Sequence, residues 1–269
     1  AMLIDINAYI GHWPFRQLQY NTCSGMLQHM NRFGTDVAVV SNINGIFYQN
    51  VQTANEELAQ QLKANTLFAK RFIPFAVINP IYAGWKNDLT TSIKKLGMRG
   101  IRLYPQYHDY EITDPACVEL VTMARDQGIP VAFTMRMVDS RERSWLDIDL
   151  VSGTAKPEWN LKNILPIIKQ VPDAQYMVLN FANNPALTDE ELAIVKKTNL
   201  LFDTSGRSIT KMADFLTKFG NEKFAFGTHA PFLDYLTGLL RIDSLEEAEA
   251  GAPVREQLRW GNAKKMLGL

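Results

Sequence analysis

The polar side chains that could do chemistry stand near the two ends of the chain, where strand-like runs finish. Asn7 and Tyr9 lie at the end of the run LIDIN, and His229 follows the run KFAFGT. The imidazole of His229 has an intrinsic pKa that suits a general base near neutral pH. The amides of Asn7 and Asn180 and the phenol of Tyr9 can donate hydrogen bonds to a developing oxyanion. We therefore predict these four residues as a catalytic set, with His229 as the base. The alternative is a structural imidazole that is hydrogen-bonded to Asn180 or Tyr9.

Further polar residues follow the other strand-like runs. Asparagine favours turns and caps because its side chain bonds nearby backbone groups. Ligand sites, however, are built from groups that converge at strand ends. Both roles remain open for the amides Asn7, Asn42, Asn44, Asn79 and Asn180. We predict substrate contacts from Asn79, Tyr104, Thr134 and Asp203.

Four arginines lie in the segments that follow the first, fifth and seventh strand-like runs: Arg16, Arg136, Arg141 and Arg207. The planar guanidinium group binds a carboxylate through two hydrogen bonds. Arg136 and Arg16 are the preferred candidates for substrate binding, and the alternative is that each is solvated or paired with a nearby acidic residue. The expected substrate is therefore a small anionic molecule that bears a carboxylate or a phenol.

Two further histidines lie in loops. His108 follows the fourth strand-like run and could orient a substrate, and His12 lies beside Trp13. We include both among the substrate-binding candidates. A structural role for each remains open, because most polar loop residues serve turns.

Short β-branched runs alternate with helical patterns from one end of the chain to the other. Because each helix can act as a crossover, this alternation predicts parallel strands. The predicted strands are Leu3–Asn7, Val37–Asn42, Phe72–Asn79, Gly100–Tyr104, Val131–Thr134, Tyr176–Asn180, Leu200–Asp203 and Phe224–Gly227. The predicted helices are Ser24–Phe33, Val51–Ala64, Trp85–Lys95, Pro115–Gln127, Leu161–Gln170, Asp189–Lys197 and Ser208–Phe219.

Eight such strands predict an α/β fold, a (β/α)8 TIM barrel that forms one domain over residues 1–269. An open doubly wound sheet is the alternative, although no glycine-rich loop typical of nucleotide binding is visible. Two stretches exceed the minimal barrel. Arg136–Asn160 predicts a long functional loop after strand 5, and Asp234–Arg259 predicts extra C-terminal helices at the bottom of the barrel.

Composition narrows the partners. The chain has 269 residues with 28 basic and 28 acidic side chains. Without a basic stripe, we expect no nucleic acid and no membrane as partners. We expect a small-molecule substrate, and a homodimer is a further option. Two distant cysteines and no visible signal peptide favour a cytoplasmic protein.

Six segments along nearly the whole chain resemble those of one known group of proteins: LIDINAYIGHWPFR, GMRGIRLYPQYHDYEITDP, GIPVAFTMR, MVLNF, FAFGTHAPF and WGNAKKMLGL. They are similar to the ID-x-H-x-H-x-G start, to strand segments four, five, six and eight, and to the C-terminal GNA-x-x-L helix of the amidohydrolase superfamily. The chain resembles its amidohydrolase-related branch, which includes aminocarboxymuconate-semialdehyde decarboxylase-like and lactonase-like proteins.

The resemblance also implies where metal ligands would stand. Asn7 and Tyr9 occupy the positions of the paired His, Thr134 that of the fifth-strand ligand, Asn180 that of the sixth-strand His, and His229 that of the eighth-strand Asp. Zinc prefers three or four imidazole, thiolate or carboxylate ligands. We therefore expect no metal ligands and no cofactor.

One alternative left open is a weakly held divalent cation on Tyr9, His229 and either Asp203 or Asp5. The resemblance implies a hydrolase or a decarboxylase-type lyase that acts on a small carboxylate-bearing molecule without a tightly bound metal. The alternative function is a catalytically inactive barrel that binds a small molecule or serves as a scaffold. An open approach to His229 would favour chemistry, whereas an imidazole engaged on both nitrogens would favour binding alone.

Overall fold

The structure is a computed structural model that describes residues 2–14, 17–47, 50–135, 137, 159–180, 186–205, 209–232, 242 and 251–269. Its strands are β1 (Ile4–Ile10), β2 (Val37–Asn42), β3 (Phe72–Val77), β4 (Gly100–Leu103), β5 (Val131–Thr134), β6 (Gln175–Leu179), β7 (Asn199–Asp203) and β8 (Phe224–Ala225). Its α-helices are α1 (Cys23–Phe33), α2 (Val51–Lys63), α3 (Thr66–Arg71), α4 (Trp85–Lys94), α5 (Pro115–Gln127), α6 (Leu161–Gln170), α7 (Asp189–Lys197), α8 (Ile209–Phe219), α9 (Ala252–Glu256) and α10 (Asn262–Leu267).

The eight strands form one parallel sheet in chain order, from β1 to β8. The segment after β8 closes the ring against β1. The Ile6 amide donates to the Phe226 carbonyl at 3.0 Å, and the Tyr9 amide donates to the Ala230 carbonyl at 2.9 Å. The predicted (β/α)8 TIM barrel is therefore confirmed, together with helices at the C-terminal end.

The two faces of the sheet carry different side chains. Inside the barrel, one apolar cluster contains Ile4, Ile6, Val39, Phe75, Ala132, Met177, Leu179, Leu201 and Ala225. Alternate residues such as Val40, Ile101 and Leu103 face outward and pack against the apolar stripes of the surrounding helices. This alternation is what a strand between a filled barrel and a layer of helices requires.

A bulge in β1 sets the direction of its polar side chains. Asp5 pairs with Ala38 and Ala8 with Val40, so β1 advances three residues while β2 advances two. The extra residue changes which side chains face inward. Ile6 therefore packs inside the barrel, whereas after the bulge the side chain of Asn7 meets groups from β4 and β7.

Local sequence explains where several helices begin and end. Thr188 caps α7, and its capping box with Glu191 satisfies two amides that the first turn leaves free. In α5, Asp114 is the N-cap ahead of Pro115, and Gly128 ends the helix with a φ of 68°. Glycine adopts this left-handed conformation without steric cost.

Several boundaries differ from the predictions. β1 continues to Ile10 rather than ending at Asn7, and β8 stops at Ala225. The helix α3 and a 3-10 turn over Ile43–Ile46 were not predicted. Most of Arg136–Asn160 and of Asp234–Arg259 lies outside the described residues. Within the described ranges, no helix is long and apolar enough to cross a membrane.

Candidate active site at the strand ends

The C-terminal ends of the strands bring a set of polar side chains together, as is usual in barrel enzymes. We call this set the strand-end cluster: Asn7, Tyr9, Arg102, Tyr104, Thr134, Asn180, Asp203, Ser205 and His229. Every member is buried. The cluster contains the predicted catalytic set and adds two residues, Arg102 and Ser205, that were not predicted.

Asn7 is the centre of the cluster. Its Nδ2 donates to Asp203 Oδ2 at 2.8 Å and lies 3.2 Å from His229 Nδ1. Its Oδ1 accepts a hydrogen bond from Arg102 Nη1 at 3.0 Å. The amide therefore joins a carboxylate, an imidazole and a guanidinium group that come from different strands.

Arg102 lies in β4 between two outward-facing apolar residues and points to the inside of the barrel. Its side chain is fully buried, and its Cζ lies 4.3 Å from the ring centroid of Tyr9. Among the described residues, its Nε and Nη2 have no hydrogen-bond partner. A buried guanidinium group with two unused donors can bind an anion, because burial of an unpaired charge is costly.

Two phenols lie around this cation. Tyr9 and Tyr104 share one apolar cluster with Trp13 and Phe232, and the Tyr9 hydroxyl lies 3.3 Å from Thr134 Oγ1. Burial raises the pKa of Tyr9 and raises that of Tyr104 well above its usual value, and it outweighs the opposing charge of Arg102. Both phenols are therefore neutral at physiological pH and can donate hydrogen bonds.

Asp203 is held by three donors. Its Oδ1 accepts from the Asn180 amide nitrogen at 2.8 Å, and its Oδ2 accepts from Asn7 Nδ2 and from Ser205 Oγ, at 2.5 Å in the latter case. The Ser205 hydroxyl also lies 3.5 Å from Asn180 Oδ1. The structure thus places Asn180 at the edge of the cluster, where its backbone amide meets Asp203 and its side chain meets Ser205.

The structure places His229 within the cluster, with contacts to both ring nitrogens. Nδ1 faces Asn7 Nδ2, and Nε2 is hydrogen-bonded to the carbonyl oxygen of Met137. Because a carbonyl only accepts, the proton belongs on Nε2 and the lone pair on Nδ1. The ring lies edge-on to Tyr9, with centroids 5.1 Å apart. Either nitrogen could exchange a proton with a substrate only after one of these hydrogen bonds opens.

Asp5 lies one layer below the cluster. Its carboxylate accepts from the amides of Asn7 (2.9 Å) and Thr228 (3.1 Å) and from the Thr228 hydroxyl (2.6 Å). Burial raises the pKa of Asp5 to about 7, and the hydrogen bonds only partly oppose this. Asp5 thus ties β1 to the segment after β8 and changes its charge near neutral pH.

The other predicted amides serve the backbone around them. Asn42 accepts from the Asn44 amide at 3.0 Å, and Asn44 Oδ1 accepts from the His12 amide at 3.2 Å. Asn79 accepts from the Ile81 amide at 3.1 Å. The structure therefore brings Asn7 and Asn180 together, and it places the remaining three in caps and turns.

The loop histidines are placed differently from each other. His12 is exposed, whereas His108 Nε2 is hydrogen-bonded to the Gly45 carbonyl at 3.1 Å, and its ring lies edge-on to Tyr104. Burial lowers the pKa of His108, which favours its neutral form. His108 thus borders the strand-end cluster through Tyr104.

The arginines preferred from the sequence, Arg16 and Arg136, lie outside the described residues. The described cation at the strand ends is Arg102. Its sequence signal was a charged residue within the run GIRL, where both neighbours are apolar and face the helices. Ser205 follows the strand end at Asp203 and carried no distinguishing signal.

Comparison with known proteins gives a family and a set of similar folds. A model of the family described as amidohydrolase matches residues 28–269. No curated protein matches the chain in sequence. A 5-carboxyvanillate decarboxylase from Sphingomonas paucimobilis is similar with a TM-score of 0.73 at 14% identity, over 100% of this chain and 99% of that one.

Two further solved structures are similar over 100% of this chain and 97% of their own. They are a dihydroxybenzoic acid decarboxylase from Polaromonas sp. JS666, with a TM-score of 0.68 at 15% identity, and a 5-carboxyvanillate decarboxylase from Novosphingobium aromaticivorans, with a TM-score of 0.69 at 11% identity. At these identities the similarity shows a shared fold.

Both of these structures contain bound manganese. They overturn the prediction of no cofactor, since a divalent metal is bound by proteins of this fold. Manganese favours carboxylate, carbonyl and water ligands. In the described part of the chain, no group of three or more His, Cys, Asp or Glu side chains could hold a metal. The side-chain carbonyl oxygen of Asn7 already accepts a hydrogen bond from Arg102 and is therefore not available as a metal ligand. The described residues thus do not fit a manganese ion.

The family model covers well over half of the chain. The barrel topology is shared with the similar solved structures. The chain therefore belongs to the amidohydrolase family.

Proposed function

We propose that the protein binds a small carboxylate-bearing aromatic molecule at the strand-end cluster and acts on it as a decarboxylase-type lyase or a hydrolase. The observation that carries this proposal is the buried Arg102, whose Nε and Nη2 have no partner among the described residues. Those two nitrogens form one edge of the guanidinium fork, which matches a carboxylate in a two-point hydrogen bond.

Charge supports the anionic character of the ligand. Removal of a cation from water is costly unless an opposite charge or several hydrogen bonds compensate. Within the described part of the chain, Arg102 donates to the neutral Asn7 amide and lies over the face of Tyr9, and no carboxylate forms an ion pair with it. A bound carboxylate would supply the missing charge and the two missing acceptors.

The aromatic side chains beside Arg102 favour an aromatic ligand. Phe232 lies edge-on to both Tyr9 and Trp13, with ring centroids 5.4 and 5.0 Å apart. Such rings offer flat apolar surfaces next to the cation, and a benzoate needs both. The named activities of the similar structures are decarboxylations of dihydroxybenzoic acid and 5-carboxyvanillate, which are carboxylated aromatics.

We assign proton transfer to His229. In hydrolysis, the base takes a proton from the attacking water. In decarboxylation, Nδ1 first takes a proton from water and then delivers it to the ring carbon, as the bond from that carbon to the carboxylate breaks and CO2 leaves. Nδ1 carries the lone pair, so the hydrogen bond from Asn7 Nδ2 has to open before this atom can act.

One observation favours a second candidate function, binding without chemistry. Both ring nitrogens of His229 are engaged in the structure, by Asn7 and by the Met137 carbonyl. A barrel that binds the carboxylate of its ligand, but whose His229 cannot exchange a proton with it, would act as a small-molecule binding protein.

Calorimetric titration with benzoate tests the anchor. We expect wild type to bind and Arg102→Met to lose at least about thirtyfold in affinity, the cost of leaving a buried charge unpaired. Arg102→Lys should bind with intermediate affinity, since it keeps the charge without the fork. The control is Arg125→Met, whose side chain pairs with exposed acids on the surface. Equal affinity of wild type and Arg102→Met would refute the anchor.

Product analysis separates the two candidate functions. Wild type is incubated with dihydroxybenzoates and with 5-carboxyvanillate, with and without added Mn²⁺, and CO2 and the decarboxylated phenol are measured. Release of both from wild type but not from Arg102→Met supports the lyase. Tight binding without turnover under every condition supports the binding protein.

A further inference from the structure

We infer that Tyr104 is a specificity-determining residue that recognises an oxygen acceptor next to the carboxylate of the ligand. The inference rests on the proposed function, because it takes Arg102 as the carboxylate anchor. It adds a second recognition element and predicts preference for a 2-hydroxybenzoate over benzoate itself.

Tyr104 follows Arg102 by two residues at the end of β4. In an extended chain, residues two apart project to the same side, and both side chains are fully buried. Arg102 interacts with the Tyr104 hydroxyl by charge and by a hydrogen bond, and Tyr9 shares an apolar cluster with Tyr104. The hydroxyl therefore lies beside the cation and the phenol that flank the proposed carboxylate site.

The Tyr104 hydroxyl finds no acceptor for its proton among the described residues, since the neighbouring Arg102 can only donate. A buried donor without an acceptor costs about 1 to 3 kcal/mol. Its ring is held on the other side by His108, whose centroid lies 5.8 Å away at an interplanar angle of 79°. Because His108 is itself bonded to the Gly45 carbonyl, the phenol is fixed in place with its donor unused.

Burial also keeps the phenol protonated, since its pKa is raised well above the ordinary value. A neutral phenol presents an O–H donor, and the matching group on a ligand is an acceptor oxygen. With the carboxylate on the Arg102 fork, an oxygen on the adjacent ring carbon is the group nearest to a donor beside that fork. A site that offers an unpaired polar group rejects the analogue lacking its partner.

The test compares 2-hydroxybenzoate with benzoate in calorimetric titrations of wild type and Tyr104→Phe. We expect wild type to bind 2-hydroxybenzoate about tenfold more tightly, which corresponds to one hydrogen bond. Tyr104→Phe should bind benzoate as wild type does and should lose the preference. The matched control is Tyr110→Phe, because the buried Tyr110 hydroxyl also has no partner within the described ranges, and this variant should retain the preference.

The two proposals fail in different ways. If wild type binds neither ligand, the Arg102 anchor fails and the proposed function falls with it. If wild type binds both with equal affinity, or if Tyr104→Phe keeps the tenfold preference, the assignment to Tyr104 is overturned while the anchor stands. Thermal unfolding of Tyr104→Phe without ligand gives an independent check, since removal of an unpaired hydroxyl should leave stability unchanged or raised.

Discussion

The Nη1 of Arg102 donates to the Oδ1 of Asn7 at 3.0 Å, deep inside the barrel mouth and with both side chains fully buried. This bond uses the carbonyl side of the amide for a cation and leaves its NH2 group for Asp203 and His229. The hydrogen bonds of the site are therefore organised around a fixed guanidinium group.

Replacing Arg102 should separate stability from binding. Arg102→Met removes a buried cation that has no ion pair with any described residue, and apolar replacement of buried charges is often stabilising. We expect the free energy of unfolding, measured in urea, to rise by about 1 kcal/mol or more while benzoate affinity falls. A loss of more than about 2 kcal/mol would show that the guanidinium group is structural.

Asn7 should be much more sensitive than a turn amide. Asn7→Ala leaves Asp203 and Arg102 buried with fewer partners, and we expect a loss of about 3 kcal/mol or more. Asn79→Ala removes one acceptor of a turn amide and should change stability by less than about 1 kcal/mol. Urea denaturation of both variants makes the comparison, and similar losses would contradict the central position of Asn7.

His229 should matter for turnover more than for affinity. In an assay with an accepted substrate, His229→Gln should lower kcat at least about a hundredfold, the usual worth of a general acid–base group. Benzoate affinity should change by less than about threefold, since the anchor is Arg102. His29→Gln in α1 is the control. Unchanged kcat in His229→Gln would end the assignment of proton transfer to this residue.

Asp5 should make stability fall with rising pH. Its pKa is about 7 in the folded protein and about 3.8 when unfolded, so the folded state keeps a proton that the unfolded chain releases between these values. The contribution of Asp5 to the free energy of unfolding should therefore be largest below about pH 4 and decrease by up to about 4 kcal/mol as the pH rises through 7.

The control for this pH dependence is a neutral isostere. Asp5→Asn should show a flatter profile between about pH 4.5 and about 8 in urea titrations. Asp126→Asn changes an exposed carboxylate on α5 and should keep the slope of wild type. A rise in wild-type stability over this range, or an identical slope in Asp5→Asn, would exclude Asp5 as the titrating group.

The barrel was predictable because its signals are local and repeated. Strand-like and helical patterns alternate through the chain, and the predicted bounds of β2, β5, α5, α6 and α7 agree with the structure. The asparagine-rich strand ends were also visible, but the sequence could not assign their partners. The Asn42 and Asn79 side chains bond backbone amides two residues ahead, a short-range choice that competes with any shared pocket.

The centre of the site was less accessible to sequence reasoning. The bulge between Asp5 and Ala8 turns Asn7 toward Arg102 and Asp203. The residue types in β1 do not predict this bulge. Arg102 was not predicted as a site residue, because functional side chains were expected at the strand ends and in the loops after them. The side chain of Arg102 projects from within β4. The prediction of no cofactor was wrong. It relied on the lack of typical metal ligands at the strand ends, whereas two similar structures contain bound manganese.

The most direct test of the anion anchor is a crystal structure of the protein with bound 2-hydroxybenzoate. We expect the carboxylate to lie within hydrogen-bonding distance of Arg102 Nε and Nη2, and the aromatic ring of the ligand to pack against Tyr9 and Phe232. A ligand bound elsewhere, with Nε and Nη2 still lacking an acceptor, would contradict it.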